Sequence, residues 1–253
     1  KDTVFTFEYN NISSLENIIK KHNIGIIKME VEREEKPKKN FLQKVRKIAD
    51  KNKIILIFDE CTSGFRTCFG GLHKYYKVTP DMAMYGKALG NGYAITAVVG
   101  KRSIMENANT NFISSTMWTE RVGTSAGIEC LNVMEKTKSW VKINETGKWL
   151  KNQWKNLAKS HNIKINIQGL DAIPNFVFQS HNHMAYKTLI TQELLKKNIL
   201  ATNKIFISVL HNKKNLQNYL EQLNKVFSLI KRVENGENIN KFLFYPISYN
   251  PYT

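Results

Sequence analysis

Cysteine, proline and long apolar runs are all scarce in this chain. Its three cysteines among 253 residues, Cys61, Cys68 and Cys130, form no Cys-x-x-Cys pair. They are too few and too scattered for a disulfide framework or a cysteine-based zinc site, so they read as reduced thiols and no metal is expected. No stretch approaches the roughly 18 to 20 apolar residues a membrane helix needs. The opening KDTVFTFEYNN lacks the apolar run of a secretion signal. The cytoplasm is therefore the expected compartment, and no membrane partner is expected. With five prolines there is no proline-rich linker, and neither a Gly/Ser linker nor a solenoid-period repeat takes its place. Acidic side chains are the fourth shortage: 21 against 38 basic ones, a formal net charge of +17. Such a charge suits a polyanion partner. Here, however, the lysines are interleaved with Asn and Ile along the whole chain and form no aromatic-lined stripe, so nucleic acid is a rival reading and not the leading one.

The chain does have enough apolar sequence, 42% of residues, to bury one substantial core or a larger and a smaller one. In the first half, short apolar runs alternate with amphipathic stretches. IGIIKMEV (Ile24 to Val31) is strand-like, whereas NFLQKVRKIADK (Asn40 to Lys51) sets Phe41, Leu42, Val45, Ile48 and Ala49 on one helical face. KIILIF, DMAMYG and GYAITAVVG (Gly92 to Gly100) are again short, apolar and bounded by turn residues. This alternation predicts an α/β fold with a mostly parallel sheet covered on both faces, and such sheets bind ligands at the carboxyl ends of their strands.

From about Thr124 the texture changes. TSAGIECLNVMEK reads as a helix, and the polar stretch from Thr137 to Lys148 leads to a second unit. There the pattern predicts a helix near Val141 to His161 and strands near Ile163 to Ile167 and Ile173 to Gln179. A helix near Tyr186 to Lys197, a strand near Thr202 to Val209 and a helix from Lys214 to Arg232 follow. In the last helix Leu216, Tyr219, Leu220, Leu223, Val226, Phe227 and Ile230 recur at spacings of three and four, the mark of a core-facing stripe. Two domains are expected, residues 1–135 and 136–253.

The strand IILIF ends on Asp59 and Glu60. A buried strand ending on acid has three readings: a magnesium ligand of a nucleotide hydrolase, the counter-charge of a cationic cofactor, or a strand end meeting water. The first needs a Gly-x-x-x-x-Gly-Lys-Ser/Thr loop, and nothing here matches one. Twenty-eight residues after Asp59, Lys87 stands among Gly86, Gly90 and Gly92, where the backbone turns tightly or approaches a ligand closely. A lysine amine condenses with an aldehyde, and a carboxylate keeps a pyridine nitrogen protonated, so the pair suits the two ends of pyridoxal 5'-phosphate.

The ordered string Phe-Asp-Glu, Gly-Phe-Arg, Gly-Gly, Pro-Asp and Gly-Lys-Ala-Leu-Gly, within LIFDECTSGFRTCFGGLHKYYKVTPDMAMYGKALGNGYAITAVVG, resembles the central block of the class III pyridoxal-phosphate aminotransferases. The likeness is greatest to the branch containing glutamate semialdehyde aminomutase. It continues into GLDAIPNFVFQ and ISVLHNKKNLQNYLEQL, which are similar to that family's small C-terminal domain. The resemblance implies the fold type I of these transferases, with residues 1–135 as the C-terminal part of the large domain and 136–253 as a small α+β domain. It implies that Lys87 is the Schiff-base lysine and the proton carrier, that Asp59 pairs with the pyridine nitrogen, and that Cys61, where the family more often has valine, packs against the ring. Thr116 matches a threonine that reaches the cofactor phosphate of the neighbouring subunit, so a homodimer is implied. The implied substrates are an amino donor and a carbonyl acceptor.

Some positions depart from the family. Glu120 and Arg121 stand where relatives carry a small or amide residue followed by proline, and are expected near the substrate mouth. Glu30 matches a glutamate that ends a family strand. Arg66 is expected to serve a structural role, as a partner of Glu60, in preference to anchoring a substrate carboxylate. Family members carry a long region ahead of this block that cradles the phosphate, and no Gly-rich phosphate loop precedes Asp59 here. The chain is therefore expected to be a fragment or a truncated relative. The rivals to amino transfer are a non-catalytic relative kept for assembly and a basic nucleic-acid-binding module.

Overall fold

The computed structural model describes residues 3–248 and divides the chain into two compact units, Lys1–Val141 and Lys142–Thr253. In the first, α1 (Ile12–Lys21) is followed by β1 (Ile26–Glu30), α2 (Phe41–Lys51), β2 (Ile55–Asp59), β3 (Met82–Tyr85) and β4 (Ala97–Gly100). A single helical turn, α3 (Arg102–Met105), and the long α4 (Arg121–Thr137) complete it. The four strands lie in the order β1-β2-β3-β4. β1, β2 and β3 run parallel, and β4 returns antiparallel on the edge, so the sheet is mostly parallel, as the alternating pattern predicts.

Burial follows the two-residue period of a strand. Ile27, Met29, Leu56, Phe58 and Ala83 point to one face and are buried, where α2 contributes Phe41, Leu42, Val45 and Ala49. The other face departs from the expectation of a sheet covered on both sides. Ile26 is 56% exposed, and Ile55, Ile57 and Asp59 are half-buried. The candidate site residue Asp59 lies on this face.

Asp81 pins the sheet together. Its carboxylate accepts the Leu56 N–H at 2.8 Å and pairs with Arg46 of α2 at 2.9 Å and Lys101 after β4 at 2.6 Å. Burial opposes its charge, but these donors outweigh it and hold the carboxyl below the ordinary aspartate value.

The second unit holds α5 (Ser139–Ser160, entered from the first unit), the antiparallel hairpin β5 (Ile165–Gln168) and β6 (Asn175–Phe178), α6 (His183–Leu195) and α7 (Lys213–Glu234). Its core is aromatic: Trp154 meets Phe176 edge-on at 4.8 Å between ring centroids, and Phe178 meets both Tyr186 and Phe227. The stripe expected on α7 is real: Leu216, Tyr219, Leu223, Val226, Phe227 and Ile230 are buried. Gly147 explains itself by proximity, since a Cβ there would lie 1.6 Å from the Asp171 carbonyl oxygen.

One expectation is extended and one is corrected. The helix expected from near Val141 begins at Ser139, so most of the polar stretch from Thr137 to Lys148 lies within it. α4 ends at Thr137, Lys138 takes a left-handed φ of 47°, and α5 begins at once. The strand expected at Thr202 to Val209 is an isolated bridge between Asn175 and Lys204. The segment does run alongside β6, with Ile205 N–H bonded to Pro174 O and Ile207 N–H to Ala172 O. Pro174 has no N–H to return the bond. The next rung is only half made: Phe176 N–H reaches Asn203 O at 3.1 Å, but the Asn203 N–H goes to Thr202 Oγ1 and its side-chain Nδ2 takes Phe176 O.

Candidate active site

The parallel register places Glu30, Asp59 and Met84 in one row at the carboxyl edge of β1, β2 and β3. The chain beyond β2 turns through Cys61, Thr62, Ser63 and Gly64, and the chain beyond β3 turns through Gly86 and Lys87. These two turns are neighbours because their strands are.

The β2 turn is built on Glu60, which is fully buried. Its carboxylate accepts the Ser63 hydroxyl and the His73 N–H, the latter at 2.9 Å, with His73 Nδ1 also at 2.9 Å. Burial pushes the Glu60 carboxyl up, but the hydrogen bonds from His73 and Ser63 outweigh it and leave the group below its ordinary value. Arg66 closes the turn by donating from Nε to Thr62 O at 2.8 Å. Glu60 accepts from Ser63 and His73, and Arg66 holds the backbone of Thr62, in keeping with a structural role in this turn.

Asp59 leads this turn, with its side chain about a quarter exposed. Its Oδ1 accepts the Cys61 N–H at 3.1 Å, and its Oδ2 lies 3.1 Å from Lys28 Nζ. Burial works against the charge, but the Cys61 N–H and the Lys28 ammonium hold the carboxyl below the usual aspartate value, so it is ionised at neutral pH. Lys28 escaped the sequence reading. Its signal was a charge in the middle of the strand IIKME, two residues before Glu30 and therefore on the same face.

Lys87 Nζ donates to Thr62 Oγ1 at 2.7 Å. Its backbone φ is 43°, in the left-handed region that non-glycine residues seldom adopt, and the preceding Gly86 is fully extended. The strain is sustained by packing. α4 presents Gly123, Gly127 and Cys130 to this loop: a Cβ on Gly123 would lie 2.7 Å from Ala94 O, and Cys130 Sγ reaches Ala88 O at 3.3 Å. Thr62 also escaped the sequence reading, where only its place next to Cys61 marked it.

Cys61 lies beside Gly86, where a Cβ would sit 3.6 Å from its Sγ. Burial first, and then the Asp59 carboxylate, push its thiol pKa up. A protonated thiol is a packing group and not a nucleophile. All three cysteines are free. Glu30 pairs with Arg33 at 3.3 Å, and its carboxyl is raised by burial, against the pull of Arg33.

The remaining sequence candidates stand apart from this cluster. Thr116 lies in the exposed loop ahead of α4, Glu120 is the residue before that helix, and Arg121 is its first residue; all three are exposed. Among the described residues, no hydrogen bond or ion pair joins them to Asp59 or Lys87. No described helix is long and apolar enough to cross a membrane.

A mostly parallel sheet with an acid and a lysine at its carboxyl edge, followed by an α+β unit, is the fold of the pyridoxal-phosphate-dependent transferases. The Sphingopyxis sp. MTA144 FumI protein, solved in its PLP internal aldimine form, matches with a TM-score of 0.86 at 22% identity over 94% of this chain and 60% of that one. The ornithine aminotransferase of Plasmodium yoelii matches with a TM-score of 0.76 at 24% identity over 87% and 62%.

At the level of sequence, residues 35–227 match the family model for aminotransferase class-III, and the chain belongs to that family. It is 28% identical over 246 residues to the 3-aminobutyryl-CoA aminotransferase of Cloacimonas acidaminovorans (strain Evry), covering 92% of this chain and 59% of that protein. It is 29% identical over 213 residues to the glutamate-1-semialdehyde 2,1-aminomutase of Wigglesworthia glossinidia brevipalpis, covering 77% and 49%. The chain thus spans about half to three-fifths of the length of these relatives.

Proposed function

We propose that the protein carries out amino-group transfer with pyridoxal 5'-phosphate, between an amino donor and a carbonyl acceptor or within one molecule, and that Lys87 and Asp59 are its working pair. The observation that carries this reading is the hydrogen bond from Lys87 Nζ to Thr62 Oγ1, three residues beyond Asp59, at 2.7 Å. It brings the amine to the same turn as the carboxylate.

The residues fit the cofactor by their chemistry. An ionised carboxylate at a strand end suits a protonated ring nitrogen, and a reachable primary amine suits an aldehyde. When bound, the cofactor supplies that aldehyde and a ring that accepts the electron pair released at the substrate Cα. Lys87 would anchor the aldehyde and, once freed by the substrate amine, would take the Cα proton on Nζ and return it. Asp59 would keep the ring nitrogen protonated through Oδ2. Cys61, thiol protonated, would pack beside the ring. Thr62 would receive the Lys87 ammonium between proton transfers.

In this reading residues 1–135 belong to the large domain and 136–253 form the small one. Thr116 would reach the phosphate of a partner subunit in a homodimer, with Glu120 and Arg121 bordering the substrate entrance. The three free thiols agree with a cytoplasmic setting. Visible absorbance of the bound aldehyde in the full-length protein tests the pair. The band is expected in the wild type and absent in Lys87→Ala; a band that survives in Lys87→Ala refutes the assignment.

A further inference from the structure

The carboxylate assigned to the ring already has a cation of its own. Lys28 lies in β1 opposite Ile57, two residue pairs back from the row that holds Asp59, and its side chain reaches diagonally across the sheet face to Asp59 Oδ2 at 3.1 Å. Oδ1 is engaged by the Cys61 N–H. Both oxygens are therefore partnered from within the chain. The two partners differ in how readily they leave. The Cys61 bond spans two residues of one turn and moves with Asp59. The Lys28 side chain is 53% exposed, on a flexible four-carbon stem, and a pair this open to water is held weakly.

We infer that Lys28 is a built-in competitor for Asp59: a cationic ring gains the carboxylate by displacing this lysine, which thereby sets the affinity of the site for its cofactor. The inference rests on the proposed function, because it takes Asp59 to be the partner of the ring. The depressed Asp59 carboxyl agrees with a standing interaction with Lys28.

The test is a titration of the full-length protein with pyridoxal 5'-phosphate, in the wild type, Lys28→Met and Lys28→Arg, with a parallel carbon-13 NMR titration of the Asp59 carboxyl in the cofactor-free proteins. Lys28→Met is expected to bind about two- to fivefold tighter, the range that corresponds to losing a weak competing ion pair. Lys28→Arg is expected to bind no tighter than the wild type, and Asp59 in Lys28→Met to titrate at higher pH. Unchanged or weaker binding by Lys28→Met, or an unmoved Asp59 titration, overturns the inference while wild-type binding leaves the proposed function standing. Binding by neither protein overturns both.

Discussion

Lys87 and Thr62 come from turns at the ends of two neighbouring parallel strands, yet Lys87 Nζ donates a 2.7 Å hydrogen bond to Thr62 Oγ1. The bond joins a lysine in a left-handed backbone position to a turn whose other end is fixed by buried Glu60. The flexible end of the site is thus aimed by its rigid end. Arg66 extends the chain of contacts by holding the Thr62 carbonyl.

Thr62→Val keeps the shape of the side chain and removes the acceptor. A hydrogen bond to a charged group contributes about 1.5 to 3 kcal/mol, so kcat is expected to fall by roughly tenfold or more, with the melting temperature little changed. Thr62→Ser, which restores the acceptor, is expected to recover most of the rate. Steady-state kinetics with the two variants side by side checks this.

Gly123→Ala bears on the same loop from the other side. Its Cβ would lie 2.7 Å from Ala94 O, a backbone atom that cannot swing away. Overpacking of this kind costs about 1 to 3 kcal/mol, and the displacement falls on the segment that follows Lys87. Both a lower melting temperature and weaker cofactor binding are expected, measured by calorimetry and by titration.

Glu60 predicts an acid limb to stability. Its carboxyl is depressed in the folded chain, so its contribution is present above the ordinary carboxylate pKa and is lost as pH falls through the lower folded value. Glu60→Gln is expected to cost about 1 to 3 kcal/mol at pH 7, since it disturbs buried hydrogen bonds to Ser63 and His73. The gap between wild type and variant is expected to narrow below about pH 4. Urea unfolding at pH 7 and pH 3 gives both numbers.

Tyr219→Phe tests the second unit. The Tyr219 hydroxyl accepts the Trp154 indole N–H at 3.1 Å, and both residues are buried. Removing the acceptor strands a buried donor, at about 1 to 3 kcal/mol. Urea unfolding is expected to show that loss with the helix content of the folded state unchanged by circular dichroism.

Asp59 and Lys87 were legible in the sequence as candidates for the proposed pair because each carries local evidence: an apolar strand ending on acid, and a lysine among glycines after another strand. Lys28 and Thr62 were not, since each matters through register. Lys28 meets Asp59 only when β1 pairs with β2 in parallel at Glu30 to Asp59, a fact that neither segment holds alone. The same limit hid the open sheet face, because periodicity tells which residues share a face and not what covers it.

Local chemistry also overrode pattern. Thr202 to Val209 reads as a strand, but Pro174 and the Asn203 side chain occupy the places where ladder bonds belong. α1 drew no expectation, since only Leu15 of its ten residues is buried. Its start is fixed instead by the Asn11 side chain, which accepts from the Ser14 N–H at 3.1 Å.

Borohydride reduction of the full-length protein with pyridoxal 5'-phosphate, followed by peptide mass mapping, reads the central claim at one atom. A pyridoxyl group on the peptide containing Lys87, absent from the many other lysines, is the predicted result. A pyridoxyl group confined to Lys28 or to any other lysine, or found nowhere, would contradict it.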